Sequence, residues 1–291
     1  MLKVEKISKD YGNGKGIQNV SFQIAKGKIC ALLGTNGCGK TTTFRILLNL
    51  IEPDTGKLYY EKMPLDHRNH RLFGYVPEER SMLRNLTVRE QVFYLARLKK
   101  METSNIEENF QYWQSVLRIE EYAESKISEL SKGNQQKVQM LCALIHNPDI
   151  IIFDEPLNGL DVMNVDLFKA LLMKLRKEKK IILISSHQYD NIENFCDSIV
   201  YLQAGKVLFK GDVARLKLKH KQRTLILHTK KDICTKEEGI LGIRREKDYL
   251  YLTMDSKENC YKCINIAMDK GIEDFRIELV SLQDIIRERS Q

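Results

Sequence analysis

Residues 34–42 read GTNGCGKTT, and they join an apolar run at 28–33 to a periodic segment at 41–50. A strand must therefore pass through a glycine-rich turn straight into a helix, which is the context that G-x-x-x-x-G-K-[ST] requires. The glycines let successive backbone N–H groups curl round an anion, and the helix start adds its positive end. On this reading Gly34, Thr35, Asn36, Gly37, Cys38, Gly39, Lys40, Thr41 and Thr42 form a phosphate-binding loop. Lys40 reaches the outer phosphates, and the Thr41 hydroxyl is placed to bind Mg²⁺. The pattern implies a nucleoside triphosphate. Cys38, near a helix start and Lys40, is expected to have a lowered thiol pKa.

A second apolar run at 150–153 ends in the acidic pair Asp154 and Glu155. Such a pair after a strand is also what an ordinary helix cap looks like. The phosphate loop upstream favours a different reading, a Mg²⁺ ligand followed by a group that activates water.

Three further stretches decide which class of phosphate-loop protein this is. LSKGNQQKV at 130–138, DEPLNGLD at 154–161 and SSH at 185–187 resemble, in order and spacing, the signature sequence, the Walker B motif with its D-loop, and the switch histidine of the ATP-binding-cassette (ABC) family. Tyr11 falls where that family stacks a ring on adenine, and Glu78 falls at its Q-loop. The resemblance covers about residues 1–215. It implies that Glu155, His187 and Lys40 are catalytic, that Ser131, Gly133 and Asp161 also contact nucleotide, and that Thr41, Asp154 and Glu78 hold Mg²⁺. Ser131 also reads as an N-cap, just before a periodic segment at 135–146, so a positive helix end is available to a γ-phosphate. In the family that phosphate belongs to ATP on the opposing subunit, so two chains pair head to tail around two MgATP.

The sequence departs from the commonest family pattern twice. The usual LSGGQ reads Leu130, Ser131, Lys132, Gly133, Asn134, with Lys132 adding positive charge near a polyanion. The Q-loop glutamine is Glu78, a good hard-oxygen ligand that would repel the γ-phosphate without a metal between them. This PEER and LSKGN combination resembles a subset of type-2 ABC exporters, as does the closing VSLQDII at 280–286.

The rest of the chain fits an α/β protein: a P-loop NTPase (RecA-like) core with an antiparallel β-layer and a helical subdomain, plus a small C-terminal α+β domain. Strand-like alternation at 4–7, 20–24 and 57–60 predicts the β-layer, and 71–76 enters the core sheet. Strand signals vanish from 87 to 146, where 88–98 and 106–117 read as helices of a subdomain spanning about 84–147. Strands at 150–153, 181–185 and 199–202 with a helix at 162–177 restore a βαβ rhythm. An ATP-binding domain over 1–215 is then followed by an accessory domain over 216–291, with strands at 224–229, 249–254 and 272–279 and a helix at 258–270.

Composition narrows the function. No run approaches the roughly 18 apolar residues needed to span a bilayer, and the first residues, MLKVEKISKDYG, have no signal-peptide h-region. Any membrane-spanning part is then a separate polypeptide. Seven cysteines at irregular spacing argue for a reducing compartment. Cys260 and Cys263 form one CxxC with no second pair, so helical spacing is the simpler account. His67 and His70 sit in a polar stretch and are assigned to a surface loop. The net charge of +8 comes from basic residues interspersed with acidic ones, and the run RLKLKHKQR at 215–223 reads as a linker helix rather than a nucleic-acid or lipid contact. Thr229-Lys230-Lys231-Asp232, which matches the TKxD of GTPases, lies far from the phosphate loop and reads as a turn.

Taken with the resemblance, the expected protein is the ATP-hydrolysing subunit of an ABC exporter at the cytoplasmic face of the membrane. It uses ATP and Mg²⁺, pairs with a second ATP-binding subunit and with membrane-spanning permease subunits, and needs no nucleic acid. The rival is a soluble ABC ATPase of translation or DNA repair. The two cassettes of the former and the long coiled-coil insertion of the latter are absent from these 291 residues. A regulatory module without turnover is disfavoured by the presence of both Glu155 and His187.

Overall fold

The computed structural model describes residues 1–158, 161–187, 192–272 and 274–290, except for the side chains of Val162 and Ser290. It divides into two units. The first runs from Met1 to Lys210, apart from a short segment ending at Glu193; that segment belongs with the second unit, which resumes at Gly211. The proposed boundary at 215/216 thus lies a few residues beyond the point where the chain leaves the first unit.

Two sheets build the first unit. A four-stranded layer has the order β2-β1-β4-β5, from β1 (Leu2–Asp10), β2 (Gly16–Ile24), β4 (Thr55–Tyr60) and β5 (Met63–Pro64), with antiparallel pairing throughout. Its apolar positions Leu2, Val4, Val20 and Phe22 face the core. The central sheet is six-stranded, in the order β10-β9-β3-β8-β7-β6. It contains β3 (Ile29–Leu33), β6 (Phe73–Val76), β7 (Ile150–Phe153), β8 (Ile181–Ser186), β9 (Ser198–Gln203) and β10 (Lys206–Asp212). The β3–β8, β3–β9, β7–β8 and β6–β7 pairs are parallel. Every residue of β3, β7 and β8 is buried, as expected of strands covered on both faces; β3 and β7 accordingly read as unbroken apolar runs, and β8 as an aliphatic run closed by Ser185 and Ser186.

Helix α1 (Lys40–Leu47) leaves β3 through the glycine-rich turn. Helices α2 (Val88–Leu98), α3 (Thr103–Leu117) and α4 (Lys132–Leu144) form the helical subdomain, and α5 (Val162–Lys177) leads back to β8. A reciprocal capping box between Thr87 and Glu90 starts α2, and Arg118 in the left-handed region ends α3. Residues His67–Leu72, expected as loop, form a 3₁₀ helix capped by Asp66 and Asn69.

In the second unit, α6 (Val213–Lys219) takes up the first part of the basic run, and β11 (Arg223–His228) begins with its last arginine. With β12 (Ile240–Glu246), β13 (Tyr249–Met254) and β14 (Phe275–Leu279) it makes an antiparallel sheet in the order β12-β13-β11-β14. Helix α7 (Lys257–Asp269) packs Cys260, Cys263, Ile264 and Ala267 against Leu225, Leu227, Leu250 and Leu252. The CxxC cysteines are therefore one helical turn apart inside an apolar core. The TKxD stretch is a turn in which the Thr229 hydroxyl accepts from the Lys231 N–H. Helix α8 (Leu282–Ser290) follows β14. Glu193, on the short segment that belongs to this unit, ion-pairs with Lys217 of α6 and accepts the Leu282 N–H at 2.6 Å.

Candidate active site

The turn between β3 and α1 can be built only from glycine at its two ends. Gly34 has φ +147° and Gly39 φ +108°, and a Cβ on either would come within 2.4 Å of a neighbouring atom. Lys40, the first residue of α1, is buried, and its ammonium donates to the Gly34 and Thr35 carbonyls at 2.8 and 3.3 Å. It also lies 4.0 Å from a Glu155 carboxylate oxygen.

Cys38 departs from expectation. Its side chain is buried beneath the loop, where its sulfur would meet a Cβ added to Gly34 at 2.5 Å. Burial pushes the thiol pKa up, and the opposing pull of Lys40 does not overcome it. Proximity to the helix start and a lysine had suggested a reactive thiolate, but the direction of the Cβ decides the outcome. The Cys38 backbone is tied down as well, its N–H donating to the Thr35 carbonyl and its own carbonyl accepting the Gly205 N–H.

The register of the parallel strands assembles the acidic half of the site. Phe153, the last residue of β7, lies opposite Ile184 on one side and Val76 on the other, so Asp154 emerges between Ser185 and the end of β6. The Ser185 hydroxyl donates to Asp154 Oδ1 at 2.5 Å and accepts the Glu155 N–H at 2.8 Å. The Tyr75 hydroxyl reaches Asp154 Oδ2 at 3.3 Å. Burial raises the Asp154 pKa, while these two hydroxyls pull it back; burial and the Asp154 charge raise the Tyr75 phenol. Glu155 adopts a left-handed backbone, φ +47°, rare for a residue with a side chain. Its Oε2 lies 2.9 Å from His187 Nδ1 and accepts the His187 N–H at 3.4 Å.

One cleft of about 530 Å³ collects Tyr11, Asn36, Gly37, Gly39, Lys40, Thr41, Thr42, Glu78, Asp154, Glu155 and His187, together with Lys15 and Gly16. Gly34, Thr35 and Cys38 belong to the same loop but do not line it. Ser131, Gly133 and Asp161 lie away from it. Ser131 caps α4 by accepting the Asn134 N–H, and Asp161 caps α5 by accepting the Asn164 N–H. A Cβ on Gly133 would come 2.8 Å from the Asn164 amide, so the starts of α4 and α5 are in contact. Gly159 and Leu160, within the DEPLNGLD stretch, lie outside the described residues. Sequence reasoning missed Ser185 as a site residue, and Tyr75 with it. The available signal was a pair of hydroxyl residues closing an otherwise aliphatic buried strand.

A parallel α/β sheet with a phosphate loop after one strand and an acidic pair after another defines a P-loop nucleoside triphosphatase. The ABC transporter family profile matches residues 17–158. An uncharacterized ABC transporter ATP-binding protein, YhaQ of Bacillus subtilis strain 168, is 34% identical over 99% of this chain and 98% of its own length. The Nod factor export ATP-binding protein I of Rhizobium meliloti and the choline transport ATP-binding protein OpuBA of B. subtilis are each 32% identical over 72% of this chain, covering 64% and 57% of those proteins. Among solved structures, the dimeric cassette MJ0796 in a post-hydrolysis state with ADP and phosphate is 26% identical. It has a TM-score of 0.67 and covers 73% of this chain and 99% of that one. The chain belongs to the ABC transporter family, as an ATP-binding subunit and ATPase. No helix among the described residues is long and apolar enough to cross a membrane.

Proposed function

We propose that this chain drives an exporter by hydrolysing ATP with Glu155 as general base, in a dimer whose two sites are each completed by the opposite copy. The observation that carries the chemistry is the 2.9 Å contact between Glu155 and His187 at the mouth of a cleft whose other wall is Lys40 and the phosphate loop. A water lodged against Glu155 would give up its proton to the carboxylate while its oxygen attacks the γ-phosphorus. The bond from that phosphorus to the bridging oxygen breaks, releasing ADP and phosphate. His187, held by Glu155, is placed to contact the γ-phosphate, Lys40 to bridge the outer phosphates, and half-exposed Tyr11 to offer a ring to the base.

The donor set fits Mg²⁺: Asp154 is buried with only neutral hydroxyls as side-chain partners, and the Thr41 hydroxyl and Glu78 carboxylate share its cleft. When bound there, the ion neutralises charge on the β- and γ-phosphates.

The placement of Ser131, Gly133 and Asp161 away from the cleft supports the dimer. These residues cap and pack two helix starts, and a helix start is useful to a phosphate brought from outside. Direction of transport is not decided by identity, since an export protein and a choline transport protein match equally well. Glu78 and the Lys132-Gly133-Asn134 signature support export, and the permease partners would hold the subunit at the cytoplasmic face.

Glu155→Gln tests this reading. The variant should bind ATP with near wild-type affinity and lose hydrolysis by about 10²–10⁴-fold. It should also accumulate an ATP-dependent dimer by light scattering. Wild-type turnover in this variant removes Glu155 from the role of base.

A further inference from the structure

The strand that delivers His187 carries a second polar group, Ser185, which opens the SSH stretch but was given no role by the resemblance. Ile181, Ile182, Leu183 and Ile184 of β8 are fully buried, and the strand then presents Ser185, also with no exposed surface. A hydroxyl in such surroundings is unfavourable unless it is hydrogen-bonded. Ser185 is bonded twice, and both partners belong to the reacting constellation. Its single proton goes to Asp154 Oδ1 at 2.5 Å, and its lone pair takes the Glu155 N–H at 2.8 Å. The first bond is charge-assisted and short. The second holds the backbone of Glu155 in its left-handed conformation.

Two residues farther along, His187 contacts the Glu155 carboxylate, so Ser185 and His187 grip the acidic pair from the same strand exit at three points. Tyr75 holds the other Asp154 oxygen more loosely, at 3.3 Å.

We propose that Ser185 is a positioning residue for hydrolysis, fixing the Asp154 carboxylate and the Glu155 backbone in one rigid arrangement. The proposal rests on the assignment of Glu155 as base. Loss of the hydroxyl leaves ATP contacts on the phosphate loop untouched, but frees Asp154 to rotate and removes the acceptor that holds the Glu155 N–H. The effect should therefore fall on turnover rather than on KM.

The test uses the full chain with Ser185→Ala, the near-isosteric Ser185→Cys, whose thiol is a weak donor, and Glu155→Gln measured in parallel. Both Ser185 variants should melt cooperatively, keep KM for MgATP within about threefold, and lose kcat by about 10- to 100-fold. The gain in affinity for ATP on adding Mg²⁺, measured by competition with a fluorescent ATP analogue under non-turnover conditions, should also shrink. Wild-type kcat and an unchanged Mg²⁺ effect in a folded Ser185 variant, with Glu155→Gln inactive, overturn the positioning role alone. Wild-type turnover in Glu155→Gln would instead bring down the reading of the site, and this proposal with it.

Discussion

The two units of this chain bury different kinds of side chain. In the first, Lys40, Asp154, Glu155, Ser185 and Ser186 are all buried, clustered where β3, β7 and β8 end. In the second, Thr229 is the one buried polar side chain among the described residues, and the core is aliphatic groups and cysteines. Burial raises Cys260 to about 11 and Cys263 to about 12, so these thiols stay neutral and pack as small hydrophobes. Burying charge is unfavourable unless partners are supplied, and at this edge the first unit brings three buried charges, Lys40, Asp154 and Glu155, together with hydroxyl and carbonyl partners. The core of the second is held by apolar packing, with its ion pairs, such as Arg245–Asp232, nearer the surface, so its core sequence is constrained in volume and periodicity more than in chemistry.

That contrast can be broken by separating the units' stabilities. Leu252→Ala, at a fully buried position of β13, should cost the second unit about 2–5 kcal/mol, read by calorimetry, while ATP binding by the first unit persists. Loss of ATP binding in step with that melting would show that the division is not energetic. A somewhat smaller effect concerns acid. His146 bonds the Phe73 carbonyl through Nε2, its Nδ1 has no partner among the described residues, and burial pushes the imidazole down to about 4. The unfolded chain takes up a proton below about pH 6.5 that the folded chain refuses until about pH 4. This contribution is therefore fully favourable above pH 6.5, and about 3 kcal/mol is lost as the pH falls through that window. His146→Gln should flatten the fall in melting temperature between pH 7 and 5; an unchanged slope would assign the acid sensitivity elsewhere. The smallest effect belongs to the exposed rim. Tyr11→Ala should weaken ATP and GTP alike by about 1 kcal/mol, since every base offers a π-face. Loss confined to ATP would mean that the ring reads base identity.

Legibility in the sequence followed the same division. The phosphate loop, the acidic pair, α2 and α5 stand where glycine spacing and 3.6-residue periodicity put them, because local geometry and function demand the same residues. β10 went unread because it is an edge strand in which apolar Leu208 stands at an exposed position, so its alternation of exposed and half-buried positions is not written in its residue types. β12 was hidden by its polar stretch, Arg244 to Glu246. The direction of the Cys38 side chain and the convergence of Ser185 and Tyr75 on Asp154 depend on the register between strands far apart in sequence, which no local pattern records.

Glu193 carries a consequence for how the protein is made. Its two partners, Lys217 and the Leu282 amide, are synthesised 24 and 89 residues after it. Glu193 thus waits, during translation, for a helix far along the chain before both of its contacts can form. A single cut after Lys210 would not release the second unit cleanly either, since it would leave behind a carboxylate stripped of both its cation and its amide. The accessory unit is stitched into the chain at two seams, and the earlier seam ends six residues past His187.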